Sequence, residues 1–88
     1  MHQEKQKDAL NTFNAVKRIV RYIVDEYNRY PESYVIVMNY EVAGLIKMYP
    51  FNTIHGALEL YGIGKDHLGN WRYRGKLLRV NTLWQLKL

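Results

Sequence analysis

The feature that most constrains the fold of this chain is an amphipathic segment that covers residues 8–30. Its apolar residues recur at steps of three and four, so they share one face of an α-helix. This face comprises Ala9, Phe13, Val16, Val20, Ile23, Tyr27 and Tyr30. A polar stripe is offset by two residues, or about 200° around the helix, and comprises Asn11, Asn14, Arg18, Arg21, Asp25 and Asn28. We therefore predict one long helix, with Asp8 as its N-cap and Pro31 beyond its end, that packs against the rest of the chain.

Short elements are predicted downstream of this helix. Residues 34–38 form an apolar, largely β-branched run that is typical of a strand buried on both faces. Asn39 is a suitable N-cap for a short helix. A second short helix is predicted for residues 53–61, with Gly62 as its stop. Residues 63–70 contain two glycines and are predicted to form a loop.

The last predicted element is a β-hairpin. Residues 71–74 and 77–80 read as its two strands, and the glycine-lysine pair between them is typical of a type II′ turn. With that turn, Arg72 faces Arg79 across the two strands. Alternation then directs one set of side chains toward the long helix, namely Trp71, Tyr73, Leu78 and Val80. The return strand either continues to the C-terminus or breaks near residue 81.

The opposite face of this hairpin carries the candidate binding site. It comprises Arg72, Arg74, Lys76, Leu77 and Arg79, with Lys76 at the tip. Like charges that face each other destabilise a sheet, and no acidic residue follows Asp66 to offset them. An anion would turn this repulsion into favourable contacts, because guanidinium groups bind phosphates and carboxylates through two hydrogen bonds. The alternative is a hydrated face on which the arginines diverge or pair with glutamates.

The distribution of charge supports this choice of surface. The net charge is +5 overall, and it is +2 for residues 1–30, −2 for residues 31–64 and +5 for residues 65–88. A secondary basic patch lies on the long helix and comprises Lys17, Arg18 and Arg21. An ordinary hydrated helix face is the preferred explanation for this patch, unless it lies beside the hairpin and the two form one stripe.

Other features exclude several classes of protein. The 88 residues make one domain, of which residues 1–7 are a polar lead-in that can fray, and no apolar run is long enough to span a membrane. There is no cysteine, and none of the three histidines has a second ligand at metal-binding spacing, so we expect no metal and no cofactor. No nucleophile, acid pair or phosphate loop has a catalytic spacing, so we expect no enzyme activity. A polar N-terminus without a secretory signal indicates a cytoplasmic protein.

Three stretches within residues 34–80 read YVIVMNYEVAGLIKMYP, YGIG and WRYRGKLLRV. Together they resemble a segment of the major capsid proteins of tailed phages, in which a buried strand that ends in Met-Asn leads into a short helix. This chain is much shorter than a capsid protein, and it lacks the long spine helix and the extended loop of that family. The resemblance implies a product of a phage or mobile element, and it assigns no functional residue.

We therefore predict an α+β fold in which the long N-terminal helix packs on an antiparallel sheet of about three strands, with two short helices bridging the first strand to the hairpin. The predicted function is that of a protein-interaction module, which docks its basic hairpin on an acidic protein surface or assembles with itself through an open C-terminal strand. The alternative is a nucleic-acid-binding protein that contacts phosphates through the same arginines. The inward aromatics favour the first class, because the basic face then lacks rings on which bases could stack.

Overall fold

The computed structural model describes the backbone of residues 2–48 and 53–80, and the side chains of residues 11–47 and 54–80. Seven helices and strands follow one another within these residues. They are α1 (His2–Arg29), β1 (Val35–Met38), α2 (Tyr40–Met48), α3 (Thr53–Leu60), β2 (Ile63–Lys65), β3 (Trp71–Tyr73) and β4 (Lys76–Val80). One long N-terminal helix, two short helices and a small sheet confirm the predicted α+β class.

The described strands form one four-stranded sheet in the order β1-β4-β3-β2. β4 pairs parallel with β1 and antiparallel with β3, and β3 pairs antiparallel with β2. The sheet is therefore mixed, because the elements between β1 and β4 carry the chain back to the end at which β1 begins. The strand that the sequence did not predict is β2, which lies in the expected loop. With three residues and a central glycine, β2 is too short to show an alternating pattern.

The long helix α1 supplies the centre of the core. Its buried side chains are Ala15, Val16, Ile19 and Ile23, of which the two isoleucines are fully buried. The predicted polar stripe is exposed, but Phe13 and Tyr30 of the predicted apolar face are exposed as well, so the buried face is rotated around the helix by part of a turn. α1 begins at His2 and not after Asp8, because the lead-in contains no glycine or proline that would interrupt a helix. The N-cap that we predicted at Asp8 is therefore wrong.

Local signals set the boundaries of the two short helices as predicted. The Oδ1 atom of Asn39 accepts a hydrogen bond of 2.8 Å from the amide of Val42, which confirms Asn39 as the N-cap of α2. Gly62 has a φ of +80°, and its amide donates a hydrogen bond of 2.9 Å to the carbonyl of Glu59. This left-handed glycine ends α3, because residues with a side chain rarely adopt its conformation.

The first strand is buried on one face, so the predicted burial on both faces is wrong. Ile36 and Met38 are buried, whereas Val35 is half-buried and Val37 is exposed. α1 packs against β1 on the side of the buried residues. The opposite, outer face of β1 has no cover among the described residues, which is why its alternate side chains remain in contact with solvent.

The turn of the hairpin lies one residue earlier than predicted. Its central residues are Arg74, with a φ of 49°, and Gly75, with a φ of 84°. Positive φ at both central positions is typical of a type I′ turn, whereas we predicted a type II′ turn with glycine first. Gly75 occupies the second central position of the turn, where positive φ favours glycine, and Arg74 occupies the first.

The new turn changes the pairing of the two strands and preserves their alternation. Arg72 pairs with Leu77 and not with Arg79, and Tyr73 pairs with Lys76. Because the partner of each residue shifts by two positions, residues 71–73 and 77–80 stay on the faces predicted for them. Arg74 leaves the strand for the turn, and Lys76 leaves the predicted tip and becomes the first residue of β4, on the inner face beside Tyr73.

Candidate functional site

Lys76, predicted at the tip of a binding hairpin, is an internal cap for the end of α1. The residue is only 8% exposed. Its Nζ atom donates hydrogen bonds to the carbonyl oxygens of Tyr30, at 2.6 Å, and of Tyr27, at 3.5 Å. The same atom lies 4.3 Å from the centroid of the Tyr27 ring. Its charge therefore interacts with the helix terminus and an aromatic face, and it does not reach a partner.

Arg72 is neutralised within the chain. Its Nε atom donates a hydrogen bond of 2.7 Å to Oδ2 of Asp66, and its Nη1 atom donates one of 3.2 Å to the carbonyl of Gly75. The other carboxylate oxygen, Oδ1, accepts the amides of Leu68 and Asn70, both at 2.9 Å. The Arg72 hydrogen bond is the largest of the causes that lower the pKa of the Asp66 carboxyl. A single acidic residue thus organises the loop and balances the arginine that we assigned to an anion site.

The three remaining residues of the predicted site do not form a cluster. The guanidinium carbon of Arg74 lies 5.6 Å and 5.7 Å from the ring centroids of Tyr73 and Tyr27. Leu77 is half-buried on the outer face, and Arg79 is exposed on the same face. The repulsive arginine pair on which the predicted site depended is absent from the pairing of β3 with β4, so the hairpin does not concentrate charge as we expected.

The secondary basic patch divides into two parts. Arg18 forms an ion pair with Glu41 at the start of α2, so its positive charge is balanced within the chain. Lys17 and Arg21 line a surface groove between α1 and α3, and Arg21 also lines a smaller depression that contains Asp25 and Glu41. No hairpin residue is among the described residues that line the groove or the depression, so neither surface joins this patch to the hairpin.

The α1/α3 groove is a large apolar feature of the described surface. It encloses about 640 Å³, and its lining residues are Thr12, Phe13, Val16, Lys17, Val20, Arg21, Ala57, Leu60 and Tyr61. Phe13 is 60% exposed, Leu60 87% and Tyr61 55%. Contiguous exposure of large apolar side chains is unusual for a surface that only meets water. The groove therefore has the composition of a docking surface.

Charge adds a second property to the α1/α3 groove. Lys17 and Arg21 are one helical turn apart on α1, and no acidic side chain is among the described residues that line the groove. An apolar surface with cationic groups at its rim matches an apolar partner that carries acidic groups. Such a surface is suited to the recognition of a partner.

Sequence reasoning missed this groove, although a signal was present. α3 carries apolar residues on two faces: Ile54 and Leu58 are fully buried, while Leu60, together with Tyr61 just beyond the helix, lines the groove. A short helix that is apolar on both sides has more apolar surface than one sheet can cover. The exposed Phe13 on α1 completes that surface, and it was misassigned to the core.

The predicted route to self-association, an open edge on the C-terminal strand, is wrong for the described part of that strand. β4 lies between β1 and β3, so it is a central strand and not an edge strand of the sheet. Residues 81–88, onto which the strand was predicted to continue, lie outside the described residues. The open edge on this side of the sheet belongs to β1.

The edge of β1 is covered by side-chain hydroxyl groups. Because the amide of Leu77 bonds the carbonyl of Tyr34, the parallel ladder turns the backbone groups of Val35 and Val37 toward the open edge. Ser33 Oγ accepts the amide of Val35 at 3.1 Å and donates to its carbonyl at 2.7 Å. The hydroxyl of Tyr22 donates a hydrogen bond of 2.9 Å to the carbonyl of Val37. These contacts disfavour the addition of a further strand to β1.

No protein-family model, curated protein or solved structure matches this chain. Within the described residues, none of the helices is long and apolar enough to cross a membrane. The same residues contain no group of three or more histidine, aspartate or glutamate side chains arranged to hold a metal ion. The assignment of function therefore depends on the α1/α3 groove and on the charges around it.

Proposed function

We propose that this protein is a non-enzymatic protein-interaction module that binds an acidic, apolar segment of another protein in the α1/α3 groove. The observation that carries the proposal is the exposure of Phe13, Leu60 and Tyr61 side by side in one groove. Aromatic and aliphatic side chains at the centre of an interface contribute most of its affinity when a partner excludes water from them. Lys17 and Arg21 at the rim favour a partner of opposite charge.

This proposal keeps the acidic partner that the sequence suggests and moves the docking surface. The hairpin supports docking less well, because Lys76 is buried and Arg72 is paired with Asp66. The nucleic-acid alternative is weaker for the same reason, since binding to a phosphate backbone requires several cations that are not already paired. A cytoplasmic site of action and an origin in a phage or mobile element are part of the same proposal, and the absence of cysteine is compatible with a reducing compartment.

A second copy of this chain is a less suitable occupant. Two-fold pairing of the groove with itself would bring together four cations, Lys17 and Arg21 of each protomer, and no acidic residue among the described residues that line the groove. Like charges at the rim of an interface oppose association and must be separated or neutralised. A partner of different sequence and acidic character avoids this cost.

The test is site-specific photocrosslinking in a lysate of the organism that encodes the chain. A photoreactive phenylalanine analogue replaces Tyr61 in the groove and, as the matched control, Tyr34, which is 88% exposed and is not among the groove residues. We expect a crosslinked partner at position 61 and not at position 34, through a peptide rich in acidic and apolar residues.

The captured partner is then purified and titrated against two leucine variants. Leu60→Asp is expected to weaken binding at least tenfold, because loss of an apolar side chain at the centre of an interface typically reduces the binding free energy by about 1.4 kcal/mol or more. Leu68→Asp is the control, because Leu68 is also exposed but lies outside the groove. Equal loss in both variants, a basic crosslinked peptide, or binding of oligonucleotides that Leu60→Asp leaves intact would each contradict the proposal.

A further inference from the structure

We infer that the occupant of the α1/α3 groove is an amphipathic α-helix with two acidic residues one turn apart along one edge of its apolar face, an inference that rests on the proposed function. Both walls of the groove are helices, and its residues on α1 extend from Thr12 to Arg21. That stretch corresponds to a length of about 14 Å at 1.5 Å per residue. It accommodates two to three turns of a third helix lying along the first two.

The spacing of the apolar groove residues favours a helical ligand. On α1 they are Phe13, Val16 and Val20; on the other wall they are Ala57 and Leu60 of α3 and Tyr61, which directly follows it. Val16 and Val20 follow at steps of three and four on α1, and Leu60 and Tyr61 lie three and four residues after Ala57. Such spacings form the ridges that a third helix fits between. A helix that binds in such a groove places its apolar anchor residues at i, i+3 or i+4, and i+7.

Backbone hydrogen bonding provides an independent argument for a helix. The α1 wall is the interior of a long helix, so its backbone groups bond to one another along the groove. At the end of α3 the amides of Tyr61 and Gly62 bond the carbonyls of Leu58 and Glu59, so this wall presents no continuous row of donors and acceptors either. An extended peptide on this apolar floor would bury amide and carbonyl groups without partners, at a substantial cost in free energy. A helix satisfies its own backbone groups before it docks.

The position of the two cations specifies the charge pattern of the ligand. Lys17 and Arg21 are four residues apart, so their Cβ atoms are about 5–6 Å from each other along α1. Two carboxylates at i and i+4, or i and i+3, on a neighbouring helix have the same separation and can pair with both cations. The opposite wall offers Leu60 and Tyr61 and no cation among its described lining residues, so the acidic residues are expected along one edge of the ligand only.

The experiment is a selection from a random library of displayed peptides of about 16 residues, or some four helical turns. The full-length protein is the target, and the Leu60→Asp variant serves for counter-selection. We expect enriched peptides to combine helical apolar periodicity with two acidic residues three or four positions apart on one edge. These peptides are expected to bind the wild type and Leu68→Asp alike, and Leu60→Asp at least tenfold more weakly.

The role of the two cations is tested by exchanging charges. The double variant Lys17→Glu/Arg21→Glu alters two exposed residues, and its circular dichroism spectrum and melting temperature report whether it folds. An enriched acidic peptide is expected to bind this variant about tenfold more weakly, and the same peptide with lysines in place of the two acids is expected to recover the affinity. Recovery depends on complementary charge, so loss of folding cannot produce it.

The possible results separate the inference from the proposal beneath it. Enriched peptides that are acidic and apolar but lack helical periodicity or the acid pair would overturn the helix inference and leave the interaction module in place. Enrichment of basic peptides, or of none that distinguish wild type from Leu60→Asp, would overturn both. A synthetic peptide of residues 81–88 that displaces the selected peptide, or a dimer that Leu60→Asp dissociates, would assign the groove to the chain itself and overturn both as well.

Discussion

The Nζ atom of Lys76 lies 2.6 Å from the carbonyl oxygen of Tyr30, so the first residue of β4 caps the end of α1. The last carbonyls of a helix have no partner inside the helix, and a cation near them is favoured by the helix dipole. The ring of Tyr27 lies beneath the same ammonium group, at 4.3 Å. This contact joins the longest helix to a central strand, and it explains why a lysine is buried in so small a core.

Lys76→Met is expected to destabilise the protein by about 1–3 kcal/mol, because it keeps most of the buried stem and removes a charge-assisted hydrogen bond. Urea unfolding at neutral pH measures the change in free energy of unfolding. Arg79→Met is the control, since it removes an exposed cation of the same hairpin and is expected to change stability by no more than about 0.5 kcal/mol. If the two variants are equally stable, Lys76 does not cap α1.

Gly75→Ala and Gly44→Ala are expected to change stability in opposite directions. Gly75 has a φ of +84° and open space around the position of a Cβ atom, so an added methyl group meets no neighbour and still costs about 1–2 kcal/mol in left-handed backbone. Gly44 lies inside α2, also with open space, where alanine is expected to stabilise the helix by about 0.5–1 kcal/mol. Thermal unfolding of both variants tests the turn, and a loss of stability of similar size in both would show that the type I′ geometry is not the cause.

The parts of the fold that depend on neighbouring residues could be predicted from the sequence. Asn39 caps α2 through a side chain three residues from its partner, and Gly62 ends α3 because of its own backbone conformation. The alternation along residues 71–80 also survived an error in the turn, because moving the turn by one residue shifts the pairing by an even number. Such features require knowledge of only a few consecutive residues.

The parts that depend on distant contacts could not be predicted in the same way. Lys76 and Tyr30 are 46 positions apart, and no local pattern shows that a lysine after a glycine caps a helix. The parallel pairing of β1 with β4 likewise requires the path of the whole chain between them. The environment of Arg72 was mispredicted for this reason, since each arginine was interpreted beside its sequence neighbours, whereas Asp66 decides the environment of Arg72.

The ion pair of Asp66 with Arg72 predicts a loss of stability in acid. The pKa of the Asp66 carboxyl is lowered from its ordinary value of 3.8, chiefly by the hydrogen bond from Arg72. A lowered pKa in the folded state means that the carboxylate stabilises the fold above its unfolded pKa, and that this contribution disappears as the pH falls through the lowered value. Wild type is therefore expected to exceed Asp66→Asn in stability at pH 7 and pH 5, and to approach it near pH 3.

Urea unfolding of both proteins at each pH measures this difference. Arg72→Gln removes the main donor to the carboxylate, so a further change of Asp66 to Asn in that background is expected to have a smaller effect than in the wild type. A difference between wild type and Asp66→Asn that stays constant from pH 7 to pH 3 would be incompatible with the lowered pKa.

Tyr22→Phe is expected to uncover the edge of β1. The hydroxyl of Tyr22 donates a hydrogen bond of 2.9 Å to the carbonyl of Val37, which the parallel ladder directs away from the sheet. Loss of this bond is expected to cost about 1 kcal/mol, and to leave a backbone acceptor on which another strand can pair. Urea unfolding and light scattering over a range of concentrations measure the two effects, and Tyr34→Phe is the control because Tyr34 is almost fully exposed.

The stability that the Tyr22 hydroxyl group contributes is also expected to depend on pH. Burial, and next the negative charge of Glu26, raise the pKa of the Tyr22 phenol above its ordinary value of 10.0. A raised pKa in the folded state means that the protonated phenol stabilises the fold below the unfolded pKa, and that this stabilisation is lost as the pH rises through the raised value. The stability of wild type is therefore expected to approach that of Tyr22→Phe only above pH 10. Equal stability and an equally monomeric state for Tyr22→Phe and Tyr34→Phe at neutral pH would remove the protective role that we assign to this hydroxyl group.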